Sequence, residues 1–176
     1  MRAMSERLEK RAERVVELAL ARGATLATVE SCTAGSLAHL LSQAEDASTV
    51  LHGGFIIYTK ENKTAAIGVA EDLLAAHTAV SGEVAQAMAA GGLARCPTAL
   101  VAAITGVAGP EPDEDGNPVG LVYVAVAARA GRTKAVKHEF GELPKQEICA
   151  AAMGAALDLL EESLHAPVSR DGPPCS

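Results

Sequence analysis

The chain has 176 residues, 49% apolar and 21% charged, which excludes a mostly disordered polypeptide and allows a full core without disulfides or a structural metal. Fifteen Lys and Arg against 22 Asp and Glu give a net charge of −7; a general nucleic-acid binder needs a dense basic face to displace counterions, so none is expected as a partner. No apolar run reaches the roughly 20 residues that span a bilayer, and no apolar leader core follows the charged N-terminus, so no membrane partner is expected either.

Residues 5–21 place Leu8, Ala12, Val15, Val16, Ala19 and Leu20 on one face at helical spacing, with Gly23 as the stop. Residues 24–29 read as a short strand that ends in Glu30-Ser31-Cys32-Thr33-Ala34-Gly35, and a helix is predicted from Ser36 to about Gln43. Residues 53–58 (GGFIIY) read as a buried strand ending at Tyr58. Short helices are predicted over Lys60–Ile67 and Glu71–Ala76, and a longer one to about Ala94, with Ser81 as N-cap and Glu83 in its first turn. Residues 98–104 read as a strand, Thr105–Pro118 as a Gly/Pro/acid loop, and 119–128 and 132–140 as a hairpin turning at Arg129–Gly131. A last helix is predicted from about Pro144 to Leu164.

Strands alternating with helices, with one hairpin near the end, predict an α/β fold: a three-layer α/β/α sandwich with a mixed sheet. One domain is expected over 1–166, followed by a disordered tail over 167–176 that holds three prolines and a glycine. Aromatic residues are only 2% of the chain and alanine is abundant, so the core is expected to rest on small side chains and close backbone approach. The four cysteines form no CxxC pair; free thiols and a cytoplasmic location are expected. The histidines are scattered without an HExxH, and no metal or other cofactor is expected.

Ligands of such folds bind beyond the carboxyl ends of the strands, near helix N-termini. Three segments meet that rule. In Glu30–Gly35 a hydroxyl sits at a strand-to-helix turn beside helix N–H groups that can hold an oxyanion, although an N-cap would read the same way. In Tyr58-Thr59-Lys60-Glu61-Asn62-Lys63, Lys63 can act as a base for a serine if desolvation lowers its pKa; alone, it reads more readily as a solvated surface residue, since lysine is seldom buried. The glycines of Thr105-Gly106-Val107-Ala108-Gly109-Pro110 permit close backbone approach to a ligand but form neither a P-loop nor a dinucleotide fingerprint. Cys32 is a second possible nucleophile. Glu111-Pro112-Asp113-Glu114-Asp115 lacks the register of a calcium loop and reads as solvated charge.

These segments in this order, with Gly53-Gly54, Ile67-Gly68-Val69, His77–Val84 and Pro118-Val119-Gly120, resemble the CinA C-terminal domain family over roughly residues 8–164. The resemblance extends to its stand-alone nicotinamide mononucleotide deamidases. It implies an amidohydrolase that converts nicotinamide mononucleotide to nicotinic acid mononucleotide and ammonia in pyridine nucleotide recycling, without a cofactor. It implies Ser31 as nucleophile, Lys63 as general base and Tyr58 as an aid to proton movement. Glu30, Cys32, Thr33, Gly35, Thr105, Gly106 and Lys145 are implied as substrate-binding residues, with backbone N–H groups around Cys32–Gly35 as the oxyanion site. It further implies a homodimer or higher homo-oligomer. The chain departs from the family at Ala34, where a glycine is usual, in the acidic loop and Asn117 before Pro118, and at Lys145 and Cys149, where arginines suited to a phosphate are expected. A less phosphorylated amide as substrate, or a non-catalytic nucleotide-binding or interaction module, are the alternatives those departures raise.

Overall fold

The structure, a computed structural model, describes residues 2–129, 131 and 133–166. The chain opens with helix α1 (Arg2–Ala21), strand β1 (Leu26–Glu30), helix α2 (Ser36–Ser42), helix α3 (Ala47–Val50) and strand β2 (Leu51–Ile56). Helices α4 (Lys60–Ile67), α5 (Glu71–His77) and α6 (Gly82–Arg95) follow, then strands β3 (Leu100–Gly106), β4 (Leu121–Ala128) and β5 (Lys134–Glu139), and helix α7 (Lys145–His165). The five strands form one mixed sheet in the order β2-β1-β3-β4-β5. β1 runs parallel to β2 and β3, whereas β4 runs antiparallel to both of its neighbours, β3 and β5.

Alternation along the central strands sends side chains to both faces. Leu26, Leu100, Ala102, Ile104, Val122, Val124 and Val126 pack against α1, α2 and α7, while Ala27, Val29, Val101, Ala103, Ala125 and Ala127 pack under α4, α5 and α6. This is the predicted α/β/α sandwich, and its second layer depends on small residues. A Cβ on Gly92 would lie 2.6 Å from Val29 Cγ2, and one on Gly91 would lie 2.2 Å from the Ile67 carbonyl oxygen. The Gly91-Gly92 pair thus lets α6 press on the sheet and on the end of α4, which fixes the helix that carries Lys63.

Several boundaries differ from the sequence reading, each for a physical reason. The strand predicted as buried over 53–58 is β2, an edge strand bonded only to β1 and exposed at every second residue; Tyr58 lies two residues beyond its end. β3 starts at Leu100 rather than 98 and runs through Thr105 and Gly106, because these two residues pair with Tyr123 and Val122 instead of entering the loop. Val119 and Gly120 stay outside β4, since Gly120 takes a positive φ of 87° in the turn that leads into the strand. Helix α3, four residues long, is too short to imprint a period on the sequence. Ser81 caps α6 as predicted, its hydroxyl accepting from the Val84 amide at 3.2 Å. The predicted hairpin turn lies partly, and the tail over 167–176 wholly, outside the described residues. Among the described residues, no helix is long and apolar enough to cross a membrane.

Candidate active site

Ser31 follows the last residue of β1 and is held on both sides by the sheet. Its amide donates to the Ile104 carbonyl (3.0 Å), and the Ile57 amide donates to the Glu30 carbonyl (2.8 Å). The turn after it is built on the Glu30 carboxylate, which is fully buried. Glu30 Oε2 accepts from the Thr33 hydroxyl (2.7 Å) and from the amides of Gly35 (3.0 Å) and Leu37 (3.0 Å). Glu30 Oε1 accepts from the Thr28 hydroxyl (3.1 Å) and the Ala38 amide (2.8 Å). The carboxylate therefore occupies the N-terminus of α2, where unpaired helix amides favour an anion. The Ala34 amide bonds to the Ser31 carbonyl and the Ser36 amide to the Thr33 carbonyl. The Cys32 and Thr33 amides are the turn's donors without a hydrogen bond among the described residues.

The turn closes through two left-handed residues, Ala34 (φ 50°) and Gly35 (φ 92°). Ala34 is exposed, so its methyl does not crowd the site. It does strain the backbone, because a Cβ in the left-handed region costs roughly 1–2 kcal/mol. Ala34→Gly is expected to raise stability by up to about 1 kcal/mol after the added chain entropy of glycine is deducted. Thermal unfolding reads this directly, and a fall in Tm would contradict the strain.

Lys63 is delivered from the neighbouring crossover. Thr59 caps α4 by accepting from the Asn62 amide at 3.2 Å, and one turn into the helix the Lys63 side chain passes into the interior with 2% exposure. Its Nζ donates to Ser31 Oγ at 3.2 Å, and it forms no ion pair with a carboxylate among the described residues. Burial, helped by the charge of Lys60, holds its amine below the usual lysine range. Cys32, beside Ser31, responds oppositely: burial pushes its thiol up to about 12. Cys32 is therefore a protonated, packed thiol and not the rival nucleophile its position suggests.

Ser31 and Lys63 sit in a cleft of about 470 Å³ beyond the carboxyl ends of β1 and β3, which Cys32, Tyr58, Thr105, Gly106 and Lys145 also line. Tyr58 is 60% exposed, and its hydroxyl bonds to neither Ser31 nor Lys63. The Thr105 hydroxyl donates to the Ala79 carbonyl at 2.7 Å. Glu30, Thr33 and Gly35 do not line the cleft; they organise the turn behind it. Cys149 does not line it either, its thiol lying 3.5 Å from the Cys32 carbonyl.

The acidic loop is exposed but tied down, unlike the freely solvated run the sequence suggests. Lys60 Nζ lies 2.8 Å from both Glu114 Oε1 and Asp115 Oδ1, and this pairing holds Lys60 above and Asp115 below their usual ranges. Asp113 accepts from the amides of Asp115 (3.1 Å) and Asn117 (2.8 Å) and from Asn117 Nδ2 (2.8 Å). Asn117 also donates to the Thr78 hydroxyl at 3.2 Å. These anchors are absent from the sequence reading because they join residues far apart in the chain. Glu30 carries a weak signal of its own role: a carboxylate at a strand end, one turn before a helix.

An α/β/α protein with a buried serine–lysine pair at the mouth of its sheet is thus the class that fold and site define. The family model described as the CinA C-terminal domain matches residues 8–164. The chain belongs to the CinA C-terminal domain family. A CinA-like protein of Frankia casuarinae is 42% identical over 150 residues, covering 85% of this chain and 34% of that protein. One from Chloroherpeton thalassium is 43% identical over 118 residues, covering 67% of this chain and 28% of that protein. The chain thus spans about a third of the length of these curated relatives. Among solved structures, the competence/damage inducible protein CihA from Agrobacterium tumefaciens superposes with a TM-score of 0.86 at 34% identity, covering 90% of this chain and 96% of that one. A CinA superfamily protein from Escherichia coli gives 0.84 at 33% identity, covering 89% and 90%.

Proposed function

We propose that the protein is a serine–lysine amidohydrolase that releases ammonia from the carboxamide of a pyridine nucleotide, with nicotinamide mononucleotide as the reference substrate. The observation that carries this reading is the 3.2 Å contact between Lys63 Nζ and Ser31 Oγ at the wall of a cleft. A buried amine whose pKa burial lowers gives up its proton more readily than a solvated lysine, and in its neutral form it can accept the serine proton over that distance. Ser31 Oγ then attacks the carboxamide carbon, and the oxyanion that forms is met by the amide of Cys32, the turn residue that lines the cleft beside Ser31. Lys63 returns the proton to the nitrogen as the C–N bond breaks, so that ammonia leaves and an acyl-serine remains. Water, deprotonated by the same amine, cleaves the ester and restores Ser31 with release of the carboxylate. Thr105, Gly106 and Lys145 contribute walls of the cleft, and Tyr58 stands where the ring of a substrate would pass.

The test is ammonia release from nicotinamide mononucleotide by the purified chain beside Ser31→Ala. The variant is expected to lose at least about a thousandfold in kcat, the scale at which loss of an activated nucleophile is felt. Its circular dichroism and Tm should stay close to the parent. Equal rates in the two proteins would remove Ser31 from the mechanism.

A further inference from the structure

The charge of the cleft wall disfavours a phosphate dianion. Strong phosphate sites use an arginine fork or free amides at a helix N-terminus. No arginine lines this cleft, and the α2 amides of Leu37 and Ala38, with that of Gly35, are already taken by Glu30. Of its three lysines, Lys60 is neutralised by Glu114 and Asp115, and Lys63 is the buried amine bonded to Ser31. That leaves Lys145, exposed at the start of α7. Against it stand three further lining carboxylates, Glu61, Glu111 and Asp113, none of them in an ion pair among the described residues.

The same rim suits a cation. Carboxylates around a partly closed cleft attract positive charge over several ångströms, and the Tyr58 ring, more than half exposed at the cleft, can hold a cationic ring against its face. We infer that, within the amidohydrolase reading on which this rests, the site selects a positively charged carboxamide that carries no phosphate. An N-substituted pyridinium nucleoside is the simplest member of that class.

The experiment compares kcat/KM of the full chain for nicotinamide riboside, nicotinamide mononucleotide and free nicotinamide at low and high salt. The riboside is expected to exceed the mononucleotide by about tenfold or more at low ionic strength, from the phosphate–carboxylate repulsion. The ratio should shrink at high salt as the rim is screened. Glu111 has no ion pair or hydrogen bond to lose among the described residues, so Glu111→Arg should cut the ratio several-fold by reversing one rim charge. Equal or faster turnover of the mononucleotide overturns the inference and leaves the amidohydrolase reading standing. No turnover of any of the three overturns that reading instead. Calorimetric binding of riboside and mononucleotide to Ser31→Ala then reads the charge preference alone, and equal or tighter binding of the mononucleotide overturns it.

Discussion

Lys63→Met is expected to lower kcat by about 10²–10⁴, the range supplied by a positioned general base, while leaving the protein at least as stable as the parent. The two effects have one cause. Lys63 is 2% exposed and, among the described residues, no carboxylate pairs with it, so the folded state disfavours the ammonium form and its pKa falls. Methionine fills the same channel without a charge, and a gain of roughly 1 kcal/mol or more near pH 7 is expected. The pH dependence follows from the sign of the shift. Between the lowered folded pKa and the unfolded value of about 10.4, the unfolded chain binds more protons than the folded one, so stability rises with pH across that window. Below it the lysine is charged in both states and its destabilisation is complete. Parent activity should climb with pH through the folded pKa as the amine becomes available as a base. In Lys63→Met both the stability slope and the activity limb should flatten, as urea unfolding and initial rates at a series of pH values would read. A variant that loses stability and keeps the parental pH profile would show Lys63 to be a structural residue.

The sheet was legible because its central strands are short apolar runs buried on both faces, and the helices because α1 keeps a period near 3.6; both signals survive in a chain with few aromatics. Ser81 announced its helix, and Ser31 announced a strand-to-helix turn. What residues alone could not establish is that Lys63 meets Ser31. A lysine one turn into a short polar helix reads as solvated, and its burial depends on β2 lying beside β1 so that the following helix crosses the serine. The family resemblance supplied that pairing; local pattern did not. The acidic loop was opaque for the same reason: Lys60 and Asp115 are 55 positions apart, and no short-range rule joins them. Glu30 was placed among substrate-binding residues, yet its five hydrogen bonds all point back into the turn.

Glu30→Gln tests how far the reactive serine depends on that buried carboxylate. Glutamine has nearly the same shape, but one carboxylate oxygen becomes an NH2 donor facing donors that previously pointed at an acceptor. Whichever way the amide is turned, it loses the Ala38 amide bond on one side or the Gly35 and Leu37 amide bonds on the other, because a threonine hydroxyl can turn to accept from the NH2 whereas a backbone N–H cannot. Charge-assisted bonds of this kind contribute about 1.5–3 kcal/mol each, and a buried donor left unpaired adds to the loss. A destabilisation of about 2–4 kcal/mol is expected, which for a chain of this size lowers Tm by roughly 5–15 °C. Below that transition, kcat per folded molecule should still fall by about ten- to a hundredfold, since a shift of about 1 Å in a reacting group is enough for such a loss. The apparent pKa of the activity limb should stay where it is, because the burial of Lys63 is untouched. That combination separates a residue that positions the Ser31 turn from one that only stabilises the fold. A structural role would lower Tm and leave kcat per folded molecule intact, and a direct role on the substrate would move KM first.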